Sequence, residues 1–283
     1  MAHPSFDGLQ VLVLESRRSR EMASLVTTYG GQPVTAPSMR ELPLESNHEA
    51  VAFADDLVAG RFDLVILLTG VGTRFLLGVV EHVRGSRQPF VDALKKVPVA
   101  ARGPKPVAVL RELGIDPWVV APEPNTWREL LAVLDAKKDD LPLRGARVAV
   151  QEYGSSNPDL LAGLEALGAA ITRVPVYQWA LPDDLGPLQA AVESLAAGSL
   201  DVALFTTATQ VTHLLEVAGR MERAGAVQEN LKRMVVASIG PTTSEELRAR
   251  GITVDMEPSH PKMGFLVREA AERARDLLAP KRA

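Results

Sequence analysis

Short apolar runs recur along the chain, separated by longer segments of mixed polarity. Runs such as V-L-V-L (11–14), L-V-I-L-L (64–68) and V-A-L-F (202–205) are nearly continuous, as expected for strands covered by helices on both faces. The segments between them begin after Gly, Pro, Thr or Asn and end near Gly, which are start and stop signals of helices. This alternation predicts an α/β fold with parallel, doubly wound sheets.

The chain also repeats itself, since three pairs of segments match at an offset of 137 to 139 residues. The pairs are V-L-V-L-E-S (11–16) with V-A-V-Q-E-Y (148–153), F-D-L-V-I-L-L-T-G (62–70) with L-D-V-A-L-F-T-T-A (200–208), and A-A-R-G-P-K-P (100–106) with A-S-I-G-P-T-T (237–243). We therefore expect two copies of one unit, two sheets and a cleft between them. The Pro-bearing segments 40–45 and 179–184 are equivalent and are expected to cross between domains.

Composition and charge narrow the class of protein. A length of 283 residues with 46% apolar residues suggests two globular domains. A net charge of −4 and a sequence pI of about 5.8 disfavour nucleic acid or an acidic membrane as a partner. The lack of cysteine excludes disulfides, thiolate metal sites and a cysteine nucleophile, and fits a reducing compartment.

Targeting and metal signals are also missing from the sequence. No basic stretch precedes the first apolar run, and the stretch 64–80 is shorter than the ~20 residues of a membrane span and contains Arg74. The histidines are scattered without the spacing of a metal site, and His213 is interpreted as a packing residue. We expect a cytoplasmic protein that interacts with no membrane and binds no metal.

Five corners at which a strand passes into a helix carry small or hydroxyl-bearing residues. They are L-T-G-V-G-T (68–73), A-R-G-P-K-P (101–106), E-Y-G-S-S-N (152–157), F-T-T-A-T-Q (205–210) and I-G-P-T-T-S (239–244). Free N–H groups and the helix dipole make such helix starts suitable for carboxylates or phosphates. Each corner taken alone is more typical of ordinary helix capping, but five in a repeated chain favour a shared binding site.

Known nucleotide and hydrolase motifs are absent. The chain has no G-x-x-x-x-G-K-[ST] and no G-x-S-x-G, and the segment that begins Gly70-Val71-Gly72 has Phe75 in place of the third glycine of G-x-G-x-x-G. Arg102 and Lys105 are the best cations for an anionic ligand at one corner, although plain surface charge explains them equally well.

Taken together, the motifs resemble the uroporphyrinogen-III synthase family. The segments that carry the resemblance are V-P-V-Y-Q-W-A-L-P (174–182), F-T-T-A-T-Q-V (205–211) and I-G-P-T-T-S-E-E-L-R-A-R-G (239–251), while L-T-G-V-G-T-R-F-L-L (68–77) followed by A-R-G-P-K-P (101–106) is similar to a bacterial branch. The resemblance covers about residues 10–270.

The resemblance implies two flavodoxin-like domains joined by a two-stranded connector, with exchange of the first βα unit. Residues 1–38 and 180–283 would form one domain, residues 43–176 the other, and 39–42 and 177–179 the connectors. It also implies closure of hydroxymethylbilane, a linear tetrapyrrole polycarboxylate, into uroporphyrinogen III with inversion of ring D and loss of water. No cofactor would be used, the protein would be a monomer, and an upstream deaminase is a candidate partner.

The resemblance and the corners together give the candidate site residues. Tyr177 matches the family's tyrosine and is a candidate proton donor. The candidate substrate-binding residues are Thr69, Gly70, Val71, Gly72, Arg102, Gly103, Lys105, Tyr153, Gly154, Ser155, Thr207, Ala208, Thr209, Gly240, Thr242, Thr243 and Met263. Two other classes of protein stay open: a two-lobed binding or sensor protein for a small anion or tetrapyrrole, and an α/β transferase.

Overall fold

The computed structural model describes residues 3–43, 48–152, 154 and 156–282. Numbered along the chain, the strands are β1 Gln10–Val13, β2 Gln32–Thr35, β3 Arg40–Pro43, β4 Leu64–Leu67, β5 Val99–Ala101, β6 Val119–Val120, β7 Arg147–Glu152, β8 Ala170–Pro175, β9 Tyr177–Ala180, β10 Val202–Phe205 and β11 Val235–Ser238. The helices are α1 Ser19–Thr28, α2 His48–Val58, α3 Gly70–Arg84, α4 Gln88–Leu94, α5 Pro104–Glu112, α6 Trp127–Ala136, α7 Pro158–Ala166, α8 Gly186–Ala196, α9 Ala208–Arg220, α10 Ala224–Lys232, α11 Pro241–Ala249 and α12 Met263–Arg282.

The chain forms two compact units. Unit 1 comprises Met1–Arg40 and Ala180–Ala283, and unit 2 comprises Glu41–Trp179. Both junctions between the units fall in β3 and β9, which pair as a two-stranded sheet. The boundaries expected from the sequence were 1–38 with 180–283 for one domain and 43–176 for the other.

Each unit is built on a parallel sheet. The strand order is β11-β10-β1-β2 in unit 1 and β6-β5-β4-β7-β8 in unit 2, and every described pairing in these sheets is parallel. The matched segments β1 and β7 take equivalent places, beside β10 and β4 respectively. Each sheet thus combines one βαβ segment from one half of the chain with strands from the other half, an order of the flavodoxin type. The predicted α/β fold with two parallel-sheet domains is confirmed.

Alternation along the strands covers both faces of each sheet. In β4, Leu64 and Ile66 join the core formed with α6 and α7, whereas Val65 and Leu67 join the core formed with α2, α3 and α5. In β10, Phe205 faces a core with α8, α9 and α11, and Leu204 faces α1 and α12. Successive side chains of a strand point to opposite faces, so fully apolar strands are needed here.

Two details differ from the regular alternation of strands and helices. The short helices α4 and α10 are inserted after α3 and α9. In unit 1, the counterpart of the edge strand β6 is reduced to a single parallel bridge between Ala237 and Met256. Pro258 follows two residues later, and because proline has no N–H it cannot extend the ladder.

Candidate functional site

The corner between β4 and α3 is organised by Thr69. Its hydroxyl oxygen caps α3 by accepting a hydrogen bond of 3.0 Å from the Gly72 N–H. Its own N–H donates to Oε1 of Gln151, 3.3 Å away on the neighbouring strand β7. Gln151 is buried at 1% exposure, so this amide is a fixed part of the corner. The sequence had not singled out Gln151, since nothing local to β7 reveals its contact with Thr69.

Tyr177 lies beside the same corner. Its hydroxyl is 3.4 Å from the Thr69 hydroxyl, a long contact in which either oxygen can donate. The ring is stacked on Phe75 of α3, with centroids 5.5 Å apart and an interplanar angle of 24°. Trp179 meets it edge-on at 5.4 Å and 87°. Only 2% of Tyr177 is exposed, whereas Thr69, whose hydroxyl it contacts, is half-buried.

Gly70 and Gly72 have packing reasons for lacking a side chain. A Cβ at Gly70 would lie 2.6 Å from the carbonyl oxygen of Lys105, and one at Gly72 would lie 2.1 Å from Nε2 of Gln151. These glycines therefore allow the start of α3 to approach α5 and β7 closely. Val71 is half-buried and packs against the core of unit 2.

The start of α5 lies close to the start of α3, as the contact between the Lys105 carbonyl and Gly70 shows. Gly103 caps α5, and the N–H of Arg102 donates to Leu67 at 3.0 Å. Lys105 is exposed and Arg102 is half-buried. Pro104 at the first helical position supplies no N–H, so this corner depends on side-chain cations more than the start of α3 does.

The corner after β7 carries a buried negative charge. Glu152 is 5% exposed, and its carboxylate is bound by Arg173, with Nη2 to Oε2 at 2.9 Å, and by the Ser156 hydroxyl at 2.8 Å. Hydrogen bonding to this carboxylate raises the pKa of the Arg173 guanidinium above its ordinary value. The predicted donors Tyr153 and Ser155 lie outside the described residues. Gly154 is described, and its N–H donates to the Tyr177 carbonyl at 3.2 Å.

The corner between β10 and α9 in unit 1 has the same cap. Thr207 caps α9 by accepting from the N–H of Gln210 at 3.3 Å. Thr206 donates its hydroxyl to Glu15 at 2.8 Å and its N–H to the side chain of Gln210 at 2.7 Å. The candidates Ala208 and Thr209 form the first turn of α9 and are half-buried.

The remaining candidates lie around the start of α11. Gly240 caps this helix and has an extended backbone, with room for a Cβ 3.7 Å from Pro261. Thr242 is exposed, but Thr243 is only 3% exposed, so its hydroxyl is enclosed by the protein. Met263 begins α12 and packs against the core on one face of the unit 1 sheet.

Several sequence interpretations concern other kinds of site. His213 is buried, and its Nδ1 lies 2.7 Å from the Ser38 carbonyl, in keeping with a packing role. Among the described residues, no three His, Asp or Glu side chains are grouped closely enough to hold a metal ion. In the described parts of the chain, no helix has both the length and the apolar content needed to cross a bilayer.

The fold and the corners define a class: a two-unit, parallel α/β protein with polar helix starts at the carboxyl ends of its strands. The model of the family described as uroporphyrinogen-III synthase HemD matches residues 20–268, and the chain belongs to this family. The resemblance inferred from the motifs is confirmed.

Individual relatives agree with this assignment. The chain is 30% identical over 271 residues to the uncharacterised protein YjjA of Bacillus subtilis, covering 94% of this chain and 96% of that protein. It is 32% identical over 238 residues to a protein of Methanothermobacter thermautotrophicus that is provisionally named a uroporphyrinogen-III synthase, covering 83% and 87%. A crystal structure of a mutant uroporphyrinogen III synthase from Thermus thermophilus is similar with a TM-score of 0.71 and 25% identity, covering 95% and 99%.

Proposed function

We propose that this protein is a uroporphyrinogen-III synthase, which closes hydroxymethylbilane into uroporphyrinogen III with inversion of ring D and loss of water. The observation that carries the proposal is the position of the Tyr177 hydroxyl, 3.4 Å from the capping hydroxyl of Thr69 at the start of α3. This position supports a role of Tyr177 as proton donor beside a helix start that favours anions.

The first chemical step needs a proton. The hydroxyl group of the bilane leaves as water once it is protonated, which gives a protonated azafulvene. This cation closes through a spiro intermediate to the inverted ring and releases the proton. A phenol is a weaker acid than a carboxylic acid or an imidazolium, so its contribution to the rate is modest. Burial of the ring between Phe75 and Trp179 keeps bulk water from competing for the hydroxyl, and the half-buried hydroxyl of Thr69 is a candidate relay for its proton.

Binding of the substrate is the larger task, because a flexible polycarboxylate has to be held in one folded conformation. The starts of α3 and α5 suit the acetate and propionate arms, since they combine helix N–H groups with the cations Arg102 and Lys105. The corner after β7 suits them less, because the buried Glu152 carboxylate already takes up the charge of Arg173. The candidates in unit 1 remain predicted binding residues, and no cofactor is part of the proposal.

An isomer assay tests the function. Hydroxymethylbilane is generated with a deaminase, the protein is added, and the oxidised porphyrins are separated by chromatography. The bilane closes spontaneously to isomer I, so formation of isomer III by the folded protein, and not by a heat-denatured control, would establish the activity. Isomer I alone from folded protein would contradict the proposal and favour a binding protein that holds a tetrapyrrole or small anion without turning it over.

A further inference from the structure

We propose that Trp179, seated on the bare α-carbon of Gly154, is a positioning residue for the Tyr177 hydroxyl. A Cβ at Gly154 would lie 1.7 Å from Cδ1 and 2.1 Å from Nε1 of Trp179, so the five-membered part of the indole occupies the place of a side chain. Gly154 also has a φ of +59°, which residues with a side chain rarely adopt. Two independent features therefore reserve this position for glycine.

The contact with Gly154 fixes the position of the Trp179 indole, which in turn restrains the ring of Tyr177. The indole meets the Tyr177 ring edge-on, with centroids 5.4 Å apart, while Phe75 is stacked on the ring from α3. The backbone adds a further tie, because the Gly154 N–H donates to the Tyr177 carbonyl at 3.2 Å. Held from several directions, the phenol directs its hydroxyl at Thr69. Displacing the indole would release one of the contacts that fix the ring.

The other half of the chain lacks this arrangement at the matching positions. An offset of 138 residues matches Tyr177 with Met39, Gly154 with Ser16 and Trp179 with Glu41. Ser16 uses its side chain there, accepting a hydrogen bond of 3.1 Å from the Met39 N–H. The copy that contains Tyr177 therefore also has the glycine and the tryptophan. The copy that has methionine at this position carries a serine in place of the glycine. This pattern favours a role that serves the phenol over a general need of the fold.

The inference rests on the proposed function, since it assigns Trp179 and Gly154 to the proton-donor side of that reaction. Its first test is Gly154→Ala, which inserts a methyl group into the indole's place. We expect kcat to fall at least ~10-fold while KM changes little, because small displacements of a reacting group cost up to about 10²-fold. Gly85→Ala is the matched control: its φ is +72°, but no atom lies within 4 Å of the Cβ position.

A double-mutant cycle that combines Gly154→Ala with Tyr177→Phe distinguishes a loss of positioning of the Tyr177 hydroxyl from a general disturbance of the structure. If Trp179 acts through the Tyr177 hydroxyl, Gly154→Ala will lower kcat in the wild-type background and leave it nearly unchanged once that hydroxyl is absent. Equal losses in both backgrounds would overturn the proposal. Trp179→Phe serves if Gly154→Ala fails to fold: it removes the ring that contacts Gly154, and the same loss of effect in the Tyr177→Phe background is expected.

A spectroscopic arm makes the inference independent of turnover. The chain has three tryptophans, so Trp118→Phe with Trp127→Phe leaves Trp179 as the reporter. In that background Gly154→Ala and Tyr177→Phe are each expected to shift the Trp179 emission, whereas Gly85→Ala is not. If wild type gives isomer I alone but these shifts occur, the proposed function fails and the positioning contact stands. An emission unmoved by Gly154→Ala would overturn the positioning itself.

Discussion

The corner that holds Thr69 in unit 2 and the one that holds Thr207 in unit 1 share an architecture but differ in chemistry. In both, a threonine caps the helix that follows a central strand, and its hydroxyl contacts a residue near a junction between the units. In unit 2 that residue is Tyr177, at 3.4 Å between oxygens, and in unit 1 it is Met39, at 3.8 Å between oxygen and sulfur. A phenol can donate a proton and a thioether cannot. Of these two equivalent positions, the one beside Thr69 thus holds a group that is able to donate a proton, and the one beside Thr207 holds a group that is not.

The polar support behind the two caps also has different origins. Gln151 reaches Thr69 from the adjacent strand β7, whereas Gln210 reaches Thr206 from within α9 itself. In unit 1 the Thr206 hydroxyl is further bound by Glu15 at 2.8 Å. The cap is thus kept in both units, whereas the amide binds the capping residue Thr69 itself in unit 2 and the residue before the cap, Thr206, in unit 1. Similar backbone geometry does not imply similar function at the two corners.

The largest expected effect on kcat comes from removing the Tyr177 hydroxyl, which would make the two corners alike in lacking a proton donor. Tyr177→Phe keeps the stacked ring but removes the donor, so kcat for isomer III formation should fall by up to ~10²-fold. Met39→Leu is the matched change in unit 1; it keeps the volume and should leave kcat unchanged. Steady-state kinetics on both variants would decide. An unchanged kcat for Tyr177→Phe would remove the proton-donor role and leave the family membership intact.

The two capping threonines sharpen the comparison with a smaller effect. Thr69→Val and Thr207→Val should each cost about 1 kcal/mol of stability, because both remove an N-cap. Thr69→Val also removes the contact of the Tyr177 hydroxyl, so it alone should lower kcat, by roughly 10-fold, as part of the general-acid contribution. Chemical denaturation and turnover are measured side by side. Equal kcat values for the two variants would contradict the distinction between the corners.

Lys105, the exposed cation in the first turn of α5, should affect substrate binding rather than the chemical step. Lys105→Ala is expected to raise KM several-fold with little change in kcat, since the lysine is proposed to bind a carboxylate arm in the ground state and the transition state alike. The effect should shrink at high salt, because exposed charges are screened. Lys96→Ala, another exposed lysine of unit 2, is the control and should leave KM as it is. A fall in kcat with KM constant would argue against arm binding.

The sequence predicted those features that depend on neighbouring residues. Apolar runs mark the strands, and Thr69 and Thr207 mark helix starts, because burial and capping are decided within a few positions along the chain. The contacts of Gln151 with Thr69 and of Trp179 with Gly154 were not predictable in this way. The first joins residues 82 positions apart, and both depend on how strands are ordered in space. Gly70 and Gly72, predicted from the sequence as substrate-binding residues, also make room for Lys105 and Gln151.

The smallest expected effect concerns Asp63 and Asp201, which lie just before β4 and β10, at the amino ends of these strands and away from the corners. Each accepts a hydrogen bond from a backbone N–H of the adjacent strand. In unit 2 the Asp63 carboxylate accepts hydrogen bonds of 2.8 Å from the Arg147 guanidinium and from the Arg147 backbone N–H, and these lower the pKa of Asp63 from 3.8 to about 2. In unit 1 Asp201 accepts from the Gln10 N–H at 2.6 Å and pairs with Arg282.

A carboxylate whose pKa is lowered by folding stabilises the protein above its unfolded pKa, and this contribution is lost as the pH falls through the folded value. Asp63→Asn should therefore lower the free energy of unfolding at neutral pH, by a small amount because the side chain is 38% exposed and the pair is screened by solvent. The difference from wild type should fade between pH 4 and pH 2, where the wild-type carboxylate becomes protonated. Urea unfolding at several pH values measures it. A difference that is constant down to pH 2 would mean that Asp63 acts through packing and not through its charge.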